Sequence, residues 1–197
     1  MKAVVIVDTG GANLASLRYA LARLGTRAVV SRDARQIAGA ARVLLPGVGA
    51  AAPAMRRLER LGLVPVLRAL TQPVLGICLG MQLLCARSEE GPAECLGLLP
   101  EPVRAQTPAP GRPVPHMGGN ALRAGKSDPL LAGVPDGSYA YFVHSYMVAP
   151  GEHVLAHADY GTPLAAAVRR ANFWGTQFHP ERSAATGAQL LRNFLAL

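Results

Sequence analysis

The sequence has no long apolar segment, and this absence argues against a membrane protein. Arginine, glycine or proline interrupts every apolar stretch before it reaches the ~18 to 20 residues that a membrane-spanning helix requires. The first such stretch, AVVIV at 3–7, ends at Asp8 and is not followed by a small-residue cleavage site, so it does not resemble a secretory signal. We therefore expect no membrane partner and a cytoplasmic location.

Cysteine is also scarce, and its number is odd. Cys78, Cys85 and Cys95 cluster in the middle of the chain, which is a poor framework for disulfides and suits a reducing compartment. His153 and His157 have the spacing of a helical metal pair, but HVLAHA alternates like a strand and brings no third ligand. We expect thiol chemistry or none from the cysteines, and neither a metal nor a cofactor.

Acidic residues are few between positions 11 and 70: this segment contains ten arginines but only two acidic residues, Asp33 and Glu59. The whole chain has a formal charge of +8. Such an excess can indicate nucleic-acid binding. Here the arginines lie at helical spacing rather than in clusters, and aromatic residues make up only 5% of the chain. We therefore expect a solvated or protein-facing surface and no nucleic-acid partner.

The first half of the chain alternates strand-length apolar runs with helix-period segments, a pattern typical of a parallel sheet covered by helices. Asn13 is expected to open a helix that Gly25 ends, and a second helix is expected near 52–70. The predicted strands are AVVIV, RAVV, RVLLPG and PVLGIC; the segment 33–41 bridges the second and third, and the helix LGMQLLCAR follows the fourth.

From about residue 91 the chain contains many prolines and glycines between short β-rich runs such as YAYFVHSY, HVLAHA and NFWGTQF. This half is expected to be more antiparallel, with the proline-rich patch 106–115 as a loop. Ser183 is expected to cap a closing amphipathic helix. With 197 residues, 50% of them apolar, we predict one α/β domain over residues 1–197.

The run VLGICLGMQ places Cys78 between Gly76 and Gly80. A strand that turns sharply into a helix can expose a nucleophile at its apex, provided that no side chains two residues away obstruct it. The amino end of the helix would then favour a thiolate. The alternative is that Cys78 is a small buried core residue, which is the usual role of a cysteine.

A thiolate nucleophile needs a base, and the base needs a group that orients it. In FHPERS, Pro180 favours an extended His179, and residues two apart in an extended chain point to the same side. We therefore predict that Glu181 orients His179 at a strand end, as Cys78 also lies at one. A His-x-Glu pair can equally be structural.

Together these segments resemble the class I glutamine amidotransferases, which release ammonia from glutamine with a cysteine, a histidine and a glutamate. The resemblance begins with GICLGMQ and FHPE. It narrows to the glutaminase subunits of imidazole glycerol phosphate synthase with the motifs PGVG (46–49), SEEG (88–91), PHMGGN (115–120) and YFVHSY (141–146), which occur in family order along the chain. It implies a flavodoxin-like three-layer sandwich with a central, mostly parallel sheet and helices on both faces.

The resemblance also implies a role for individual residues, with Cys78 as nucleophile, His179 as general base and then acid, and Glu181 as its orienter. Backbone N–H groups of Leu79 and of the PGVG loop, at Val48 and Gly49, would form the oxyanion hole, and a peptide flip in that loop could switch activity. The expected glutamine-binding residues are Gln82, Glu90, His144, Ser145 and Tyr146. A solvated helix end is the alternative for Glu90.

The expected partner is a separate (β/α)8-barrel synthase subunit that receives the ammonia through a channel, with Asn13, Gly119, Asn120 and Arg182 at the interface. Gly119 stands where the family has tryptophan, Thr9 where tyrosine is common and Ala12 where glycine is common. The missing tryptophan is expected to leave a void. Two other hypotheses stay open: a stand-alone or other-pathway glutaminase or cysteine hydrolase, and a non-catalytic interaction module of the same fold.

Overall fold

A computed structural model describes residues 3–10 and 14–197. In this part of the chain the strands are β1 Val4–Val7, β2 Ala28–Ser31, β3 Arg42–Gly47, β4 Val74–Cys78, β5 Arg87–Ser88, β6 Ala93–Glu94, β7 Val103–Ala105, β8 His116–Ala121, β9 Arg123–Ala124, β10 Tyr139–His144, β11 Tyr146–Val148, β12 Val154–Asp159, β13 Pro163–Arg170 and β14 Phe173–Thr176. The helices are α1 Leu14–Arg23, α2 Ala34–Ala38, α3 Ala51–Arg60, α4 Leu63–Arg68, α5 Leu79–Leu84 and α6 Ala184–Ala196, with 3₁₀ turns at Pro129–Leu131 and Pro180–Arg182.

A large central sheet joins the two halves of the chain. Within the described residues its strand order is β2-β1-β3-β4-β14-β13-β12-β9. Five neighbouring strands, β2, β1, β3, β4 and β14, are parallel to one another. The sheet continues with β13, β12 and β9, each of which pairs antiparallel with the strand before it. Two smaller sheets, β10-β8 and β11-β7-β5-β6, lie outside it.

Both faces of the central sheet are covered, because side chains on its buried strands alternate between two cores. Leu45 packs in a core with residues of α2, α3, α4 and α5, whereas its neighbour Leu44 packs in the other with residues of α1 and α6. Period-two alternation of apolar side chains on both faces is what a fully covered strand requires. This arrangement confirms the predicted α/β fold with a mostly parallel sheet and helices on both faces.

Several predicted element boundaries were wrong. The helix expected near 52–70 is two helices, α3 and α4, separated where Gly62 has a left-handed backbone (φ 65°). The helix after Cys78 ends at Leu84 rather than continuing to Arg87, and the segment 33–41 contains the short helix α2. The predicted helix start at Asn13 lies outside the described residues.

Ser183 precedes α6 as predicted, but its side chain does not cap the helix. Its hydroxyl instead donates to the His179 carbonyl oxygen at 2.7 Å and accepts from the Tyr141 backbone N–H at 2.9 Å. Ser183 therefore ties the segment after β14 to strand β10. Among the described residues, no helix combines the length and apolar character needed to cross a bilayer.

Candidate active site

Cys78 lies where β4 turns into α5, in a backbone conformation that side chains rarely adopt (φ 55°, ψ −113°). The turn brings the chain very close to itself. A Cβ at Gly76 would lie 2.7 Å from the Gly80 carbonyl oxygen, and a Cβ at Gly80 would lie 1.6 Å from the Leu45 carbonyl oxygen. Backbone contacts therefore require both glycines, and the elbow predicted from GICLG is present.

The strands on either side of β4 bring the other motifs to this elbow. Gly47, in the PGVG motif, pairs with Cys78 across β3 and β4. On the other side β14 runs parallel to β4 and leads into His179. Because the carboxyl ends of parallel strands lie at one edge of a sheet, the three segments converge where such folds bind ligands.

His179 contacts Glu181 through its ring, with Nδ1 2.8 Å from Oε1 of the carboxylate, and both side chains are largely buried. His179 itself has the predicted extended backbone (φ −95°, ψ 99°). Glu181, however, lies in the 3₁₀ turn Pro180–Arg182, so the two side chains meet through a turn and not through an extended strand. The predicted contact is present, but the geometric reason given for it was wrong.

The electrostatic setting of His179 favours its protonated form. Burial alone would lower its pKa, but hydrogen bonding and Coulombic attraction from Cys78 and Glu181 outweigh burial and raise the pKa to about 10. The Nε2 atom is buried and has no hydrogen-bond partner of ordinary length among the described residues. Because Nδ1 is bonded to Glu181, Nε2 is the ring nitrogen of His179 that can gain or lose a proton.

A cleft of about 380 Å³ opens at the elbow. It contains the residues expected for the nucleophile, its base, the oxyanion hole and the glutamine pocket; its lining is Val48, Gly49, Ala50, Cys78, Leu79, Gln82, Glu90, Pro115, Val143, His144, Ser145, Tyr146 and His179. Glu181 is outside this lining, behind His179. Partial burial raises the pKa of Glu90, and a hydrogen bond from the Ala51 backbone opposes that shift.

Comparison with known proteins gives the family. Residues 5–197 match the family model described as glutamine amidotransferase class-I. The chain belongs to this family. The match confirms the resemblance read from the motifs and, because these proteins are enzymes, the expectation that the chain is one.

Curated members of this amidotransferase family are similar over the whole chain. A protein from Xylella fastidiosa named imidazole glycerol phosphate synthase subunit HisH is 55% identical over 197 residues, covering 100% of this chain and 98% of the relative. A protein of the same name from Xanthomonas euvesicatoria pv. vesicatoria is 56% identical with the same coverage.

Solved structures agree on the amidotransferase fold. A crystal structure of a glutamine amidotransferase has a TM-score of 0.76 at 23% identity, covering 98% of this chain and 97% of that one. The structure of PurLQS from Thermotoga maritima has a TM-score of 0.71 at 18% identity, covering 100% and 99%. At these identities the likeness establishes the fold alone.

One residue beside Cys78 was not identified from the sequence. Gln177 is fully buried and donates its amide N–H to Cys78 Sγ at 3.8 Å. Its carbonyl oxygen accepts from Gln82 Nε2 at 2.9 Å, and that same nitrogen donates to the Tyr146 carbonyl oxygen at 2.9 Å. The only signal available was its place directly before FHPE, which does not reveal a contact with the sulfur 99 residues away.

The ring of His144 is engaged within the protein. Its Nδ1 lies 2.9 Å from the Tyr146 carbonyl oxygen, and its Nε2 lies 3.2 Å from Nδ1 of His116. Burial lowers the pKa of His144 to about 4, helped by repulsion from His116 and His179 and opposed by the Tyr146 hydrogen bond. With both nitrogens occupied, the ring has no atom left to bond glutamine, so any contact from His144 would come from its backbone.

The PGVG loop, expected to contribute to an oxyanion hole, is exposed at Val48 and open around Gly49. Val48 is 44% exposed, and Gly49 has a left-handed backbone (φ +88°) with open space where a Cβ would be. Thr9, one of the departures from the family pattern, is buried, and its hydroxyl donates to the Pro46 carbonyl oxygen at 3.2 Å. Thr9 therefore fixes the start of the loop.

Three of the residues expected at the partner interface, Gly119, Asn120 and Arg182, lie outside the cleft lining. Arg182 is exposed and stacks its guanidinium 4.5 Å from the centre of the Tyr141 ring. Gly119 is exposed on β8, paired with Tyr141 of β10, and an added Cβ there would meet only Tyr139, at 3.5 Å. The missing tryptophan therefore leaves exposed surface at Gly119, and not an internal void, when the chain is considered alone. Asn13 lies outside the described residues.

The remaining histidines have no part in the cleft. His153 pairs with Glu101 at 2.7 Å, and His157 lies on β12. In the described ranges, no three metal-ligating side chains come together.

Proposed function

We propose that the chain is the glutaminase subunit of an imidazole glycerol phosphate synthase in histidine biosynthesis. Identity of 55% over the full chain to a protein named as that subunit supports the pathway. The observation that carries the chemistry is geometric: Cys78 and His179 line one cleft, and the His179 ring is bonded to Glu181 at 2.8 Å behind it.

The reaction would begin with proton transfer from Cys78 Sγ to His179 Nε2. The thiolate then attacks the side-chain carboxamide carbon of glutamine, while Glu181 keeps the imidazolium oriented. Collapse of the tetrahedral adduct breaks the C–N bond, and His179 returns its proton to the departing nitrogen as ammonia forms. Water, giving a proton to the neutral imidazole, then attacks the thioester carbon; the C–S bond breaks, glutamate leaves, and His179 returns the proton to the Cys78 sulfur.

The negative charge on the adduct needs N–H donors close to the developing oxyanion. Leu79, directly after the nucleophile, and the Val48–Gly49 peptide of the PGVG loop are the proposed donors. The open space around Gly49 would allow this peptide to turn. Since loss of one such donor commonly costs ~100 to 1,000-fold in rate, the loop is the proposed on/off switch.

The proposed glutamine pocket uses the rest of the cleft. Glu90 would bind the α-ammonium of the substrate, and its raised pKa reflects a carboxylate that is partly buried and would gain from a cationic partner. Gln82 and the segment 144–146 would surround the amino-acid end of glutamine, with Ser145 contributing its hydroxyl and His144 and Tyr146 contributing backbone.

The proposed partner is a (β/α)8-barrel subunit that takes the ammonia through a channel. The barrel subunit would combine this ammonia with the phosphoribulosyl-formimino-aminoimidazole carboxamide ribonucleotide. The products would be imidazole glycerol phosphate and an aminoimidazole carboxamide ribonucleotide. The antiparallel pair β8-β10 is the proposed contact surface: Gly119 lies on it, and its Met117 and Tyr139 are 64% and 69% exposed. Asn13, Gly119, Asn120 and Arg182 are proposed to contact the barrel.

We also propose that residues 1–197 form one domain, since strands from both halves share the central sheet. A cytoplasmic location is proposed from the three cysteines, which are not joined in disulfides.

The test is to mix the protein with a candidate synthase subunit, glutamine and the ribonucleotide, and to measure glutamate release. Cys78→Ala should abolish it, whereas Cys85→Ala, a matched replacement of a buried thiol outside the cleft, should retain it. Little release is expected without the partner. High turnover of the isolated protein would instead indicate a stand-alone glutaminase, and failure of a glutamine-mimicking electrophile to modify Cys78 would indicate a non-catalytic module.

A further inference from the structure

His116 is a buried histidine outside the cleft lining, directly behind His144. Its ring is held between two aromatic rings, 3.9 Å from the centre of Tyr160 and 5.0 Å from that of Phe142, with interplanar angles of 19° and 16°. Burial lowers its pKa to about 4, so it is neutral at neutral pH. A neutral imidazole has one donor and one acceptor nitrogen, so the direction of each hydrogen bond matters.

Tyr146, His144, His116 and Asn120 form a chain of hydrogen bonds, and the donor in each bond can be assigned by starting from the Tyr146 carbonyl. A carbonyl oxygen only accepts, so the 2.9 Å contact requires the proton of His144 on Nδ1. The Nε2 atom of neutral His144 is then an acceptor. It faces Nδ1 of His116 at 3.2 Å, which must therefore carry the His116 proton.

The donors in this chain can also be assigned independently by starting from Asn120. The Asn120 amide is oriented by the backbone, since its Oδ1 accepts from the Ala121 N–H and its Nδ2 donates to the Asp159 carbonyl oxygen, both at 2.8 Å. The same Nδ2 lies 3.5 Å from Nε2 of His116, which must be the acceptor. Both ends thus require His116 to be protonated on Nδ1.

We propose that His116 is a positioning residue that holds neutral His144 in its Nδ1-protonated tautomer and thereby fixes the wall of the cleft at 143–146. The Tyr146 carbonyl accepts from His144 on one side and from Gln82 on the other, which uses both of its lone pairs. Without the His116 donor, the buried Nε2 of His144 would have no hydrogen-bond partner. That unsatisfied acceptor is unfavourable, so the ring would turn or change tautomer to find another partner. The role in glutamine binding rests on the proposed function.

The first test is a nitrogen–proton correlation spectrum of the full chain with nitrogen-15-labelled histidine at about pH 7.5. Signals of His116 and His144, assigned from variants, should both show the Nδ1–H tautomer, the less common one in water. An Nε2–H tautomer or an imidazolium at either position would overturn the proposal. This measurement does not depend on glutaminase activity.

The second test separates positioning from packing. His116→Asn places an amide N–H near the site of Nδ1, whereas His116→Leu fills space without a donor, and His157→Asn is the matched control outside the cleft. The probe is the diazoketone analogue of glutamine, with Cys78 inactivation followed as a function of its concentration. His116→Leu should raise the half-saturating concentration roughly tenfold, with the maximal rate within about threefold.

His116→Asn should restore the half-saturating concentration to within about threefold of the wild-type protein, and His157→Asn should leave it unchanged. Equal effects of Asn and Leu, with His144 keeping its tautomer in both, would overturn the positioning role. If the wild-type tautomers are as expected but the diazoketone never modifies Cys78, the proposed function fails while the tautomer assignment stands. Should His116→Leu not fold, the proposal is still tested by the tautomers in the wild-type spectrum and by the half-saturating diazoketone concentration of His116→Asn.

Discussion

The His179 ring and the Glu181 carboxylate are 2.8 Å apart even though Pro180 ends the extended chain between them. The turn at Pro180–Arg182 brings the carboxylate to Nδ1 of the imidazole, and Ser183 bonds the His179 carbonyl oxygen at the start of that turn. The His179 ring is therefore oriented by a local turn, and the first predictions concern this pair.

Glu181→Gln should lower glutaminase turnover by roughly 100-fold or more, because the neutral amide neither stabilises the imidazolium nor holds its tautomer. The measurement is glutamate release in the presence of the synthase partner. Glu59→Gln, the same replacement on helix α3, is the control and should have no effect. Retention of turnover in Glu181→Gln would remove Glu181 from the mechanism.

The same pair should make stability depend on pH. Because the folded pKa of His179 is raised from 6.5 to about 10, its contribution is fully present below about pH 6.5 and is lost as the pH rises through about 10. The difference in free energy of unfolding between wild-type protein and Glu181→Gln should be largest near about pH 6 and shrink towards about pH 10. Urea unfolding across this range measures it, and a constant difference would contradict the assignment.

Gly80→Ala should destabilise the protein by about 3 kcal/mol or more, since the new Cβ would lie 1.6 Å from the Leu45 carbonyl oxygen and backbone would have to move. Gly119→Ala is the control, because its Cβ would meet only Tyr139 at 3.5 Å; a change within about 0.5 kcal/mol is expected. Urea midpoints compare the two. Similar values for both variants would mean that the elbow is not tightly packed.

Gln177→Leu should slow alkylation of Cys78 by iodoacetamide roughly tenfold at neutral pH. The thiolate loses its amide donor, and Gln82 keeps an N–H without an acceptor. The rate is followed by mass spectrometry of the Cys78 peptide. Gln189→Leu, the same change on α6, should react like the wild-type protein, and an unchanged rate in Gln177→Leu would show that the 3.8 Å contact is inconsequential.

Gly119→Trp should improve transfer of ammonia to the proposed synthase partner, because the indole can occupy the open surface beside Tyr139 and would cover the proposed passage between the subunits. Free glutaminase turnover, measured without the partner, should not change. The quantity to compare is the ratio of ribonucleotide product formed to glutamate released. Equal ratios in the two proteins would refute this expectation.

The sequence alone was sufficient for the fold class and for the sharp strand-to-helix turn at Cys78. Alternation of buried strands and helices is a local pattern, and the spacing of the two glycines around Cys78 predicts a sharp turn there. Gly76 is required by that turn itself, whereas Gly80 is required by the Leu45 carbonyl of the neighbouring strand, a contact that only the structure shows. Helix boundaries were harder: α3 and α4 are separated by a single left-handed glycine, Gly62, and the bond that Ser183 accepts from the Tyr141 N–H depends on contact with strand β10.

What the tertiary structure decided were the partnerships between distant residues. No spacing could reveal that Gln177 reaches the Cys78 sulfur, that His116 lies behind His144, or that the Tyr146 carbonyl accepts from both His144 and Gln82. The sheet order places β4 between β3 and β14, and only this packing brings the elbow, the loop and the histidine to one edge. Hydrogen bonds act over a few ångströms, so their network is set by how the chain folds and not by the order of its residues.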